Sequence, residues 1–121
     1  MIDRAIIREA AERYRELGLG ELVEVPEDEP GHVYHLFVCR SQQRDAIRAA
    51  LADEGIATGE YYLPPLHLQP ALSYLGYREG DLPVTEQLAR ENFAVPLWAG
   101  IDDATQERVV AAVRAVAPIA K

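Results

Sequence analysis

The residues best able to do chemistry gather in one segment, Gly59-Glu60-Tyr61-Tyr62-Leu63-Pro64-Pro65-Leu66-His67-Leu68-Gln69-Pro70. Two phenols, an imidazole and an amide follow one another on a stretch stiffened by three prolines. Such a loop offers tyrosine faces for stacking on a sugar or a nucleotide base, with His67 as a hydrogen-bond partner. The same residues serve equally as a proline-braced crossover whose tyrosines cover the edge of a core. Residue types alone leave both readings open.

Other candidate centres fail on geometry. His32, His35 and Cys39 suggest a metal site, but on a strand His32 and His35 point to opposite faces. His35 and Cys39 share a face yet lie about 13 Å apart along an extended chain. Zinc needs its ligands at about 2 Å, and a Cys–His nucleophilic pair needs about 3 Å. Cys39 is therefore expected to be a buried thiol that packs as a small hydrophobe. Glu27-Asp28-Glu29 reads as a solvated turn, and Asp102-Asp103 as a helix start, where the macrodipole favours carboxylates. Gly18 and Gly20 follow a helix and do not join a strand to a helix, as a phosphate-binding loop would. No metal-binding, cofactor-binding or catalytic residue is expected from these groups.

The elements that would position the loop follow from periodicity. Ile2 to Leu17 predicts an amphipathic helix with Ile6, Ala10, Tyr14 and Leu17 at helical spacing, Ile7 off that line, and Gly18 as its stop. Leu22 to Val25 alternates apolar with acidic residues and predicts a short strand ending at Pro26. His32 to Cys39, apolar on both faces, predicts a central covered strand. Ser41 is placed to N-cap a helix through Glu54 with Ile47, Ala50 and Leu51 inward. Ile56 to Tyr62 reads as extended. The prolines should then exclude regular structure until a short helical piece, Ala71 to Leu75, closed by Gly76. Asp81 and Pro83 open a helix to about Asn92, and Phe93 to Leu97 form a strand. Asp102 caps a last helix with Val109, Val113 and Val116 in one stripe, ending near Pro118. Helices alternating unevenly with strands predict an α/β fold, a two-layer sandwich with a small sheet and helices mainly on one face.

Composition bounds the function. The 121 residues, 49% of them apolar, suit one domain with a real core. Twelve basic against twenty acidic residues give a net charge of −8, which argues against nucleic acid and anionic membranes as partners. The single cysteine and the lack of a long apolar run or leader predict a soluble, cytoplasmic protein.

The loop and its surroundings resemble the C-terminal portion of the pyridoxal-phosphate-dependent sugar aminotransferases of the DegT/StrS type. Arg44-Asp45, Leu51, Gly55-Ile56-Ala57-Thr58-Gly59, Tyr61-Tyr62 and Pro65-Leu66-His67-Leu68-Gln69-Pro70 carry the likeness in order and spacing. Leu75-Gly76-Tyr77, Gly80-Asp81-Leu82-Pro83, Glu86 and Val95-Pro96-Leu97 continue it. The resemblance implies the small domain of a fold-type I aminotransferase, spanning residues 1–121, with the large pyridoxal-phosphate domain absent. The complete enzyme would move an amino group from an amino acid, commonly glutamate, to a keto-sugar nucleotide. Its cofactor would be held by a lysine of the large domain, and the only lysine here is Lys121. It further implies that Tyr61, Tyr62 and His67 lie on a loop facing the active-site cleft, with His35 beneath, contacting substrate. Three states of the chain fit: an inactive excised domain, a subunit of a split enzyme, or a free-standing module binding nucleotide-sugars or a protein. Surplus apolar residues on the first helix predict a homodimer that buries that helix or the Tyr61–His67 loop.

Overall fold

The computed structural model describes residues 4–28, 36–61 and 64–117. Its elements are α1 (Arg4–Glu16), α2 (Leu19–Leu22), β1 (Phe37–Arg40), α3 (Arg44–Asp53), α4 (Pro83–Glu91), β2 (Asn92–Val95) and α5 (Asp103–Val116). Two 3-10 turns, Leu66–Leu68 and Pro70–Leu75, lie between α3 and α4. The strands pair antiparallel, with Phe37 opposite Val95 and Cys39 opposite Phe93. Isolated bridges join Glu24 to Arg40 and Gly59 to Ala94, so four chain segments run side by side with β1 and β2 in the middle.

The alternation of a strand puts Phe37, Cys39, Phe93 and Val95 on one face, and all four are buried. They form a single core with Ala11 and Tyr14 of α1, Ile47 and Leu51 of α3, and Val109, Val110 and Val113 of α5. The helices thus cover one face of a small sheet, and the α/β class and sandwich layout expected from the sequence hold. Tyr14 crosses this core to donate its hydroxyl to the carbonyl of Pro96 at 2.6 Å, and its ring lies 5.3 Å from that of Phe37. Burial above all raises the Tyr14 phenol above the ordinary tyrosine value. Asp102 caps α5 as expected, accepting the Thr105 amide at 2.8 Å.

Several local expectations are corrected. Leu22 to Val25 is not a strand: Gly18, at φ 90°, starts a fresh helical turn. Leu19 and Val23 then enter the core one turn apart, the Val23 amide donating to the Leu19 carbonyl, and only Glu24 pairs with the sheet. Ser41 does not cap α3. Its hydroxyl accepts from the Gln43 amide in a turn just ahead, and Gln43 takes the cap position without a side-chain bond. Among the described residues of the 56–62 run, 56–61, only Gly59 pairs, and β2 stops at Val95. The short helical piece expected at Ala71–Leu75 forms as a 3-10 turn with Pro70 at its first position. A further turn, Leu66–Leu68, forms where the prolines were expected to exclude structure, because Pro65 takes its cap position and needs no amide hydrogen there. On α1 the buried residues are Ala10, Ala11 and Tyr14, with Ile7 packed against the core and Ile6 43% exposed, so Ile6 is the residue off the stripe. Of the strand expected from His32 to Cys39, Phe37 to Cys39 pair in β1; residues 29–35 and 62–63 lie outside the described residues.

Burial of Cys39 makes a direct test of this sheet. The side chain is fully enclosed, and its surroundings push the thiol up to about 12. The thiolate is the form that attacks a thiol reagent. In native buffer Cys39 should stay unlabelled by a disulfide reagent, and urea should expose one equivalent. Rapid native labelling would show that the sheet face is uncovered.

Candidate functional site

The loop after Gly59 is anchored through the start of α3. Arg44, the first residue of that helix, has a side chain only 4% exposed. Its Nε donates to Asp45 Oδ1 at 2.6 Å, and its Nη1 to the carbonyls of Ala89 at 2.9 Å and Asn92 at 3.0 Å. The same Nη1 lies 3.1 Å from Glu60 Oε2. One helical turn on, Arg48 donates to the Thr58 hydroxyl and carbonyl and to Glu60 Oε1. Glu60 therefore stands between two guanidinium groups that a helix places on one face. Beside it the Tyr61 amide donates to Asn92 Oδ1 at 2.8 Å, while Asn92 Nδ2 donates to the Leu88 carbonyl at 2.7 Å. Sheet, α3 and α4 are thus joined to the loop by amide hydrogen bonds and by charge-assisted ones, the latter the stronger kind.

Tyr61 is fixed in turn. A Cβ at Gly59 would meet its ring at 2.8–3.0 Å, so the ring folds back over the bare Cα of Gly59 and a side chain there would displace it. The ring is 42% exposed and borders two clefts. An open one of about 590 Å³ runs past Thr58, Pro96, Trp98 and Arg108. A smaller one, about 190 Å³, is walled by Pro65, Leu66 and Leu88.

His67 lines neither cleft. It sits in the Leu66–Leu68 turn with its side chain 5% exposed. Its Nε2 lies 3.2 Å from Glu86 Oε2, and Tyr77 packs edge-to-face against the imidazole with centroids 5.8 Å apart. Glu86 accepts from the Gly80 amide at 2.8 and 3.0 Å and from the Leu82 amide at 3.1 Å. The Gly80 amide foremost, then the Leu82 amide and His67, hold its carboxyl below the usual glutamate range against the opposing effect of burial. Of the residues expected on the cleft, Tyr61 borders it and His67 is buried behind a carboxylate; Tyr62 and His35 lie outside the described residues. Sequence reasoning missed Arg44, Glu60 and Asn92 as anchors and Glu86 as the partner of His67. The available signal for Glu86 was an acid one turn after the Leu82-Pro83 helix start, where it reaches back to the cap amide.

The structural neighbours of this small α/β fold are fold-type I sugar aminotransferases. DesV of S. venezuelae, solved in complex with a ketimine intermediate, superimposes with a TM-score of 0.86 at 30% identity, covering 98% of this chain and 33% of that one. A DegT DnrJ EryC1 StrS aminotransferase from Brucella abortus gives 0.82 at 32% identity, covering 96% and 31%. The model of the DegT/DnrJ/EryC1/StrS aminotransferase family matches residues 4–114, and the chain belongs to that family. It is 41% identical over 100 residues to a pleiotropic regulatory protein of Geobacillus stearothermophilus, covering 81% of this chain and 27% of the relative. It is 37% identical over 97 residues to the dTDP-3-amino-3,4,6-trideoxy-alpha-D-glucose transaminase of Streptomyces venezuelae, covering 80% and 25%. The chain therefore spans between a quarter and a third of the length of these relatives, matching their C-terminal part. Aminotransferases of this family depend on pyridoxal phosphate, and Spr1654 of Streptococcus pneumoniae has been solved in its PLP form and its PMP form.

The Glu86 contacts set a pH dependence. Because its folded value is lowered, the stabilisation is present above the unfolded glutamate value of roughly 4.3 and is lost as pH falls through the folded value. The urea midpoint of the wild-type chain should fall on acidification below that value, and the gap to Glu86→Gln should close at the same time. A gap that stays constant from neutral to strongly acid pH would contradict the assignment.

Proposed function

We propose that this chain is the small C-terminal domain of a sugar aminotransferase, completed by a large pyridoxal-phosphate domain in the same or a separate polypeptide. The complete enzyme moves an amino group from an amino acid, with glutamate the expected donor, to a keto-sugar nucleotide in the cytoplasm. The observation that carries this reading is the match of almost the whole chain to one end of enzymes three to four times longer. The described residues do not fit the cofactor's covalent anchor, since they contain no lysine. No catalytic step is assigned to them. Their work is to position substrate and close the cleft, Tyr61 by its ring at the rim, with Tyr62, His35 and the enclosed His67 as further proposed substrate contacts. Glu60 and Asn92, held by Arg44, fix where Tyr61 stands.

A surface without its partner supports the same reading. Tyr74 is 79% exposed and Val84 70%, and Leu66 and Leu75 are more than half exposed, all near the loop. None of the residues of the Pro70–Leu75 turn is buried. Apolar surface of this extent ordinarily meets another protein. The chain alone should self-associate at micromolar concentration, which sedimentation reads directly; a clean monomer would favour a free-standing module.

Function is tested by completion. Joined to the large domain of a close relative, the chain should restore amino transfer to a keto-sugar nucleotide, and Tyr61→Ala should raise KM at least several-fold. The chain by itself, mixed with pyridoxal phosphate and reduced with borohydride, should carry no lysine adduct. A stoichiometric adduct, or a completed enzyme indifferent to Tyr61, would overturn the proposal.

A further inference from the structure

The run that leads into Tyr61 is laced by turns to two elements. Thr58 and Glu60 are tied to α3, where Arg48 Nε donates to the Thr58 hydroxyl at 2.8 Å, Nη2 to the Thr58 carbonyl at 3.2 Å and Nη1 to Glu60 Oε1. Gly59 and Tyr61 are tied to β2. The Gly59 amide donates to the Ala94 carbonyl and the Ala94 amide to the Gly59 carbonyl, while the Tyr61 amide donates to Asn92 Oδ1. All three nitrogens of one guanidinium are thus spent on two residues of a short run, a rigid fork that a lysine ammonium cannot reproduce. Arg44, one turn back, reaches one oxygen of Glu60 and bonds otherwise to Asp45 and to the carbonyls of Ala89 and Asn92. Residue 58 therefore depends on Arg48 for its tie to α3. The Arg48 side chain is 31% exposed, so the fork works at the edge of the core and not within it.

We propose that Arg48 is a positioning residue for Tyr61: by holding residues 58 and 60 against α3, it keeps the phenol ring folded over Gly59 and between the two clefts before a ligand arrives. This rests on the reading of Tyr61 as a substrate contact and adds the group that readies it. A ring already in place in the free protein loses little further freedom on binding, whereas a ring released from the fork must be ordered by the ligand. Arg48 lines neither cleft, so its effect passes through Tyr61 and falls on binding, not on the chemical step.

Proton spectra of the full chain read the position of the ring directly. In the wild-type chain the Tyr61 ring protons should show a strong nuclear Overhauser contact to the Gly59 α-protons. Arg48→Ala, and Arg48→Met with its longer stem, should lose most of that contact while the Tyr14–Phe37 ring contact in the core stays. Arg48→Lys, which keeps the charge and loses the fork, should restore only part of it. An undiminished Gly59–Tyr61 contact in either of the first two variants, while folded, overturns the proposal. So does loss of the Tyr14–Phe37 contact in both, which would make Arg48 a residue of the fold and not of the loop. In the enzyme completed with a large domain, Arg48→Ala should raise KM for the keto-sugar nucleotide roughly two- to ten-fold, with the change in KM and not in kcat. Added to Tyr61→Ala, it should have no further effect. A fall in kcat at constant KM, or additive effects of the two substitutions, overturns the proposal equally. A completed enzyme that transfers no amino group counts against the proposed function, and the ring contact in the chain alone still decides the role of Arg48.

Discussion

One buried guanidinium holds the molecule's working end to its core. Arg44 reaches from the first turn of α3 to the last residues of α4, the start of β2 and the acid just ahead of the loop. Its charge is nearly out of water, which costs several kcal/mol unless partners replace the solvent. The partners are two carbonyls and two carboxylates, and three of the four lie outside α3, in α4, at the start of β2 and at Glu60. Removing one side of such a buried pair leaves the rest uncompensated, a loss of roughly 3 kcal/mol or more. The loop's starting point is thus set by this charge cluster together with two ties to β2, the Gly59 bridge and the Asn92 side chain that accepts from the Tyr61 amide.

From that fixed point the loop divides its residues between two tasks. Tyr61 is presented at the rim of two clefts, its backbone tied to Asn92. His67 is withdrawn and oriented by Glu86, which in the same stroke satisfies the amides of the turn entering α4. A charged group that serves a helix start and an imidazole together couples the shape of the turn to the orientation of the ring. In a chain that is one end of a longer family architecture, such rigidity lets a small domain bring a preformed wall to a site built mostly elsewhere.

Much of the fold was legible because it rests on local rules. The α5 cap at Asp102, the valine stripe at 109 and 113, the burial of Cys39 and the helix from Pro83 all follow from spacing and residue type. The reading failed where two local rules competed. Leu22 to Val25 alternates like a strand, but the left-handed Gly18 opens a helical turn whose apolar residues fall at the same positions. Ser41 has a capping side chain and spends it on a nearer amide. The loop was visible as a cluster of aromatic and polar types, and its anchors were not. Arg44 meets carbonyls 45 and 48 positions away, and a carbonyl carries no signature in its residue type. The burial of His67 depends likewise on Glu86, 19 positions on.

The ring of Tyr61 resting over Gly59 has a consequence for how this loop can change. Two residues apart in sequence, the positions share one volume: the space a Cβ would need at 59 is filled by the aromatic ring from 61. Adding a methyl group at 59 would not open or crowd the core, which lies elsewhere; it would turn the ring outward and alter both clefts at once. The pair works as a steric lever, in which the smallest available change in one residue moves the largest exposed group of its neighbour. Selection acting on the width of the cleft would find that lever before it found any residue of the sheet.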